Sequence, residues 1–204
     1  MTQEQLNLLA VISVVVCWAA FAATWLAAEI YNQGRAPAER TRSWFGSAVL
    51  PGAIIIAVIT IAVPRADWRS LTFVSPAVRL LGLVILLGAT AFTIWARLVL
   101  GVMWSGAPTV KEHHELRTSG PYSITRHPIY TGILGMLIGS LLVAGGGRWI
   151  VPLPVFLVLF EIKIRIEERF MMGEFPDEYP RYRRRVPKLV PGLRLFSGRR
   201  VASS

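Results

Sequence analysis

The sequence predicts an all-α, polytopic membrane protein of about five transmembrane helices, with a C-terminal interfacial helical region and no Rossmann domain. Three observations lead there. Only 17% of its 204 residues are charged, against 53% hydrophobic and a mean hydropathy of +0.50; a soluble domain holds about a quarter charged residues. The missing charges leave several long uncharged runs rather than a general thinning. The basic residues crowd into a few of the connecting segments.

Leu8 to Ala28 is uncharged over 21 residues, enough at about 1.5 Å per residue to cross a hydrocarbon core of roughly 30 Å. No Lys or Arg precedes it, so the basic region of a signal peptide is missing and the run reads as a span. Phe45 to Val63 is a second run, ended by Pro64 and Arg65. Leu80 to Ala96 is a third, bracketed by Arg79 and Arg97, whose side chains are expected to snorkel to the interfaces. Ile129 to Ala144 is a fourth, stopped by Gly145-Gly146-Gly147, and Ile150 to Phe160 is a shorter fifth with Pro152 and Pro154 near its start. The triple glycine predicts a tight turn, so the last two runs read as a helical hairpin.

At this length one domain is expected. It divides into three N-terminal spans (1–100), a polar region with the hairpin (101–192), and a basic tail (193–204). With five spans, one side receives Arg35, Arg40, Arg42, Arg97, Lys111, Arg117, Arg126 and the whole tail after Phe160, which together hold 18 of the 22 basic residues. Lys and Arg accumulate in cytoplasmic loops, so the N-terminus is expected outside and the C-terminus in the cytoplasm. This accounts for the net charge of +10 without a nucleic-acid partner. Most of the seven tryptophans fall near run ends, as an aromatic belt would. Cys17 is the sole cysteine, so no intrachain disulfide can form.

The first three runs carry almost nothing reactive, and Glu29 and Glu161, at run ends, read as interfacial charges. Residues 111 to 132, KEHHELRTSGPYSITRHPIYTG, are different and contain all three histidines, His113, His114 and His127. No metal site is expected from them, because adjacent histidines point apart and no HExxH or CxxC accompanies them. Pro128 biases His127 away from helical geometry and suits the first turn of the fourth helix. Arg126 and His127 are therefore expected beside a helix N-terminus, where free N–H groups and the dipole favour anions. Tyr122 and Tyr130 add aromatic faces that attract cations. The combination suits a zwitterionic ligand with a cationic centre.

The second polar block is EIKIRIEERFMMGEFPDEYPRYRRRVPKLVPG, residues 161 to 192. Glu167-Glu168 follow the fifth run closely, so that helix is expected to continue beyond the membrane with an amphipathic face. Tyr179 and Tyr182 share one face of a following helix, as do Arg181 and Arg185, while Arg183 and Arg184 read as contacts to lipid headgroups.

Together the two blocks resemble the isoprenylcysteine carboxyl methyltransferase family and the related phospholipid N-methyltransferases. The matching residues are H-x-L-x-T-S-G-P-Y at His114 to Tyr122, R-H-P-x-Y-x-G at Arg126 to Gly132, Glu167-Glu168, and F-x-x-E-Y-x-x-Y-x-x-x-V-P at Phe175 to Pro187. About residues 100 to 192 are covered; Pro176 stands where the family usually has Gly. The resemblance implies S-adenosylmethionine as cofactor, bound without GxGxxG. It implies cofactor contacts at His114, Leu116, Gly120, Tyr122, Arg126, His127, Tyr130 and Glu167, with Arg185 and Glu168 orienting the methyl acceptor. The acceptor would be a lipophilic small molecule or a lipid-modified substrate, with membrane lipids as further partners. Membrane sterol reductases share a similar R-H-P-x-Y-x-G, so an NADPH-dependent reductase is one alternative, and a non-enzymatic scaffold with a lipid-binding tail is another.

Overall fold

The computed structural model describes residues 3–32, 39–42, 55–56, 58–59, 61–73, 75–101, 109–111 and 116–192. Most of the second hydrophobic run, and the two histidines His113 and His114, lie outside them. Helix α1, Gln3–Asn32, runs unbroken for 30 residues. Its inward residues recur at helical spacing, with Val14, Cys17, Trp18 and Phe21 against the neighbouring helices. The opposite surface exposes Leu8, Val11, Ile12, Val15 and Val16. Water does not tolerate an apolar surface of this extent on an isolated helix. Among the described residues, two helices, over Glu4–Asn32 and Pro76–Leu100, are long and apolar enough to cross a membrane.

A short helix α2, Arg65–Ser70, precedes α3, Pro76–Leu100. Helix α3 starts from Ser75 with Pro76 in its first turn, where proline's missing N–H costs nothing. It ends at Gly101, whose carbonyl accepts from Arg97 Nη1 at 3.0 Å and from Asn32 Nδ2 at 3.3 Å, fastening the ends of α1 and α3 together. Arg97 does not snorkel to an interface as expected. It is 1% exposed, turned into the protein against the Trp25 ring at 5.9 Å. The bulk of Trp25 on α1 screens that end of α3 from solvent, and the Gly101 carbonyl draws the guanidinium inward.

Helix α5, Pro128–Ala144, lies along α3 at backbone contact (α4 is the single turn Pro121–Ile124 before it). A Cβ on Gly139 would sit 2.7 Å from the Leu86 backbone, one on Gly135 2.8 Å from Ala89 Cβ, and one on Gly82 2.6 Å from Leu142 Cβ. Small residues thus let the two backbones touch, the arrangement that gives apolar helices their dispersion contact where no hydrophobic drive separates protein from lipid. Helix α1 crosses this pair and is pinned by Trp18 Nε1 donating to Ser140 Oγ at 3.1 Å. Leu86, Met136 and Cys17 fill the space between the three.

The glycine turn forms as expected. Gly145 takes the left-handed conformation (φ 82°) that closes α5, a geometry that a side chain would strain. Phe73 N donates to the Gly145 carbonyl at 2.8 Å and Gly147 N to Leu71 at 3.2 Å, so the segment after α2 braces the turn. A 3₁₀ turn, Gly147–Ile150, leads into α6, Pro152–Glu174. This helix is apolar to Phe160 and charged beyond it, continuous across the change. Helix α7, Glu178–Arg185, follows a tight turn.

One feature departs from an all-helical expectation. Glu39–Arg42 (β1) pairs antiparallel with Thr109–Lys111 (β2), Glu39 opposite Lys111 and Arg42 opposite Thr109. Strands this short show no alternation that a sequence reading could detect. The pairing joins two segments that the distribution of basic residues assigns to the same side.

The α3–α5 contact yields a test. Gly139→Leu is expected to cost about 1–3 kcal/mol by overpacking, read as a lower Tm in detergent. Gly88→Ala, where a Cβ meets nothing within 4 Å, should leave Tm unchanged or raise it slightly.

Candidate active site

The site begins at a chain reversal. Gly120 (φ 59°) and Pro121 open α4, Thr125 returns the backbone to an extended conformation, and His127 caps α5 (φ −124°, ψ 63°) with Pro128 at its first position. The residues after α7 close over this turn. Arg126 N donates to the Pro187 carbonyl at 2.9 Å and His127 N to Lys188 at 3.2 Å. Thr131 Oγ1 donates to the Leu189 carbonyl at 2.7 Å. The N–H groups of Arg126 and His127, just before the helix, are thus taken by carbonyls of the C-terminal segment. Lys188 Nζ in turn reaches Glu161 on α6 at 2.9 and 3.0 Å, so Glu161 is an ion-pair partner rather than a bare interfacial charge.

Anions do approach this helix start, from within the protein. Glu168 on α6, with a side chain 7% exposed, presents Oε1 to Arg126 Nε at 3.0 Å, Arg126 Nη2 at 2.9 Å and His127 Nε2 at 3.3 Å. Arg126 Nη1 is held by the carbonyls of Arg183 (2.9 Å) and Val186 (2.6 Å). Glu167 accepts a short hydrogen bond from the Tyr130 hydroxyl and lies 3.5 Å from His127 Nδ1. The rings of His127 and Tyr130 stack at 5.8 Å, and Tyr130 stacks on Phe160 at 4.7 Å, with Phe156 a further 5.4 Å along. An aromatic ladder therefore runs from the two carboxylates toward the apolar half of α6.

Three tyrosines hold the surround. Tyr179 and Tyr182 are buried and meet edge to face, and Tyr182 donates to the Tyr122 carbonyl at 2.6 Å. Tyr122 is itself buried, its hydroxyl 3.4 Å from the Ala96 carbonyl on α3.

Of the residues singled out in sequence, Tyr122, Arg126, His127, Tyr130, Glu167 and Glu168 come together here. Leu116 and Gly120 are half-buried before α4, and His114 lies outside the described residues. Arg185 is exposed on α7; the guanidinium groups that reach Glu168 are those of Arg126 and Arg183. Sequence reasoning assigned Arg183 to lipid headgroups and missed its 3.5 Å contact with Glu168 Oε2. It also missed the carbonyls of residues 186–189, which carry no side-chain signature.

Charge follows from these contacts. Burial alone would lower the His127 pKa, but hydrogen bonds and charge from Glu167 and Glu168 more than offset it and hold the imidazole toward its protonated form. Burial would raise Glu168; His127 and Arg126 overcome that and bring its carboxyl down to about 2. Burial pushes Tyr122, Tyr179 and Tyr182 above the ordinary phenol value, so they remain neutral donors.

The family model for phospholipid methyltransferase matches residues 77–178. The cobalt-zinc-cadmium resistance protein CzcN of Cupriavidus metallidurans is 35% identical over 129 residues, 62% of this chain and 55% of that protein. Protein-S-isoprenylcysteine O-methyltransferase of Schizosaccharomyces pombe is 35% identical over 81 residues, 38% of this chain and 34% of that one. The chain thus spans about half or less of the length of these curated relatives. In fold it resembles the solved eukaryotic intramembrane Ras methyltransferase, isoprenylcysteine carboxyl methyltransferase, with a TM-score of 0.53 at 20% identity over 72% of this chain and 52% of that one.

The buried pair predicts a pH profile for stability. The carboxyl of Glu168 is depressed, so its contribution is complete above the ordinary 4.5 and disappears as pH falls toward about 2. His127 is raised, so its contribution is complete below 6.5 and disappears as pH rises through the folded value. Chemical denaturation in detergent should therefore show the pair's largest contribution between 4.5 and 6.5. Glu168→Ala should flatten the acid limb and cost about 3–5 kcal/mol by stranding Arg126.

Proposed function

Because the chain belongs to the phospholipid methyltransferase family, we propose that it is an integral membrane methyltransferase that uses S-adenosylmethionine on a lipophilic acceptor, most like isoprenylcysteine carboxyl O-methylation. The observation that carries the reading is the union of two sequence-distant polar blocks in one buried cluster, Arg126–Glu168–His127, at the end of an aromatic ladder. The family match weighs against the sterol-type reductase and against a lipid-binding scaffold.

The residues fit the cofactor. Two carboxylates, Glu167 and Glu168, supply charge for a cationic amino-acid nucleoside, and the stacked rings of His127 and Tyr130 present π surface to a sulfonium. The cofactor supplies an electrophilic methyl group. Cofactor contacts are assigned to His114, Leu116, Gly120, Tyr122, Arg126, His127, Tyr130 and Glu167, and orientation of the acceptor to Arg185 and Glu168, with Glu168 also facing the cofactor's amino group. Displacement of a methyl group in line needs alignment more than acid–base help. Holding the reactants about 3–3.5 Å apart is worth roughly 7–11 kcal/mol.

His127 also bears on the acceptor. It is flanked by two carboxylates that favour its charged form, in which both ring nitrogens donate. A carboxylate acceptor is nucleophilic as it stands and needs no base, so O-methylation suits the site better than transfer to an ammonium. The proposed topology has about five spans, with the N-terminus outside and the site and C-terminus at the cytoplasmic face, open to a polar cofactor from one side and an apolar acceptor from the other.

The test is purification in detergent, titration with S-adenosylmethionine, and a screen of apolar carboxylates, amines and thiols for labelled methyl uptake. His127→Ala and Tyr122→Phe should lower cofactor affinity while the protein still folds; unchanged affinity in both defeats the assignment. Arg185→Ala should spare cofactor binding and reduce turnover.

A further inference from the structure

The two oxygens of Glu168 are not equivalent. Oε1 takes three donors from Arg126 and His127, whose side chains are 8% and 9% exposed. Among the described residues, Oε2 meets only Arg183 Nε, at a long 3.5 Å. That guanidinium is 43% exposed, and its other side-chain contact is the Met172 sulfur, a weak acceptor, at 3.7 Å. The Arg183 backbone is fixed, since its carbonyl holds Arg126 Nη1 at 2.9 Å. Only the side chain is free to leave, and it would leave into water. A buried carboxylate needs its remaining lone pairs satisfied as well as its charge paired, and this one has fixed donors on Oε1 and a loosely held one on Oε2.

We infer that the Arg183 side chain is a displaceable counter-ion, standing at Glu168 Oε2 in the place that the primary ammonium of the bound nucleoside takes. This rests on the methyltransferase reading above. The guanidinium covers Oε2 in the ligand-free protein and swings outward when the ammonium arrives, so ligand entry exchanges one cation for another at that oxygen. Arg183 is then a positioning residue and touches neither the transferred methyl group nor the acceptor.

The experiment compares wild type, Arg183→Met and Arg183→Lys in detergent by calorimetric titration with S-adenosylhomocysteine, which carries the ammonium, and methylthioadenosine, which lacks it. Arg183→Met no longer has a cation to displace and should bind S-adenosylhomocysteine about two- to five-fold more tightly, the scale of a half-exposed ion pair. Its affinity for methylthioadenosine should not change. Arg183→Lys should match wild type for both. Ligand-free Arg183→Met should melt lower than wild type, and S-adenosylhomocysteine should restore the difference. Weaker binding of S-adenosylhomocysteine by Arg183→Met overturns the inference, as does an equal change for both nucleosides or none for either. Failure of wild type to bind either nucleoside instead overturns the methyltransferase reading and this inference with it.

Discussion

The structure depends on one buried carboxylate. Removing an ionised carboxyl from water costs several kcal/mol unless cations and donors meet it on arrival. Glu168 can therefore be buried only where Arg126 and His127 already stand. Arg126 has donors to spare, and they go to the carbonyls of Arg183 and Val186. Its own N–H and that of His127 go to Pro187 and Lys188. One charge, once buried, thereby ties together the exit of α6, the start of α5, the end of α7 and the segment beyond it.

The rest of the molecule is a frame that holds this knot at one end. Helices α3 and α5 touch along glycines, and α1 crosses them with its Trp18 indole bonded to the Ser140 hydroxyl. None of that needs a charge, and its outer surface is apolar. Helix α6 belongs to both regions, apolar to Phe160 and ionised after it, and the ladder of Phe156, Phe160, Tyr130 and His127 follows the same boundary. Chemistry that joins a polar molecule to a greasy one would be placed at such a boundary.

The helices were legible in sequence wherever composition alone decides them. The uncharged runs became α1, α3 and α5, the triple glycine became a turn, and the prolines at 128 and 152 fell in first turns, where their lost N–H is harmless. The meeting of His127 with Glu167 and Glu168 was suggested by motif and not by spacing, since 41 residues separate His127 from Glu168. Arg97 was misread because an arginine at a run end looks the same whether it faces headgroups or a tryptophan on the next helix. The β1–β2 ribbon and the carbonyls of residues 187–189 were invisible, because backbone pairing leaves little mark on side-chain identity.

The position of that last segment along the chain has a consequence for biosynthesis. Residues 187–189 come after every hydrophobic run, and they supply the acceptors for Arg126, His127 and Thr131. While the ribosome is still delivering α6, the Arg126–His127 turn lacks its ceiling, however well the earlier helices have inserted. The surround of Arg126 and His127 is therefore completed late, once residues 187–189 have emerged and docked.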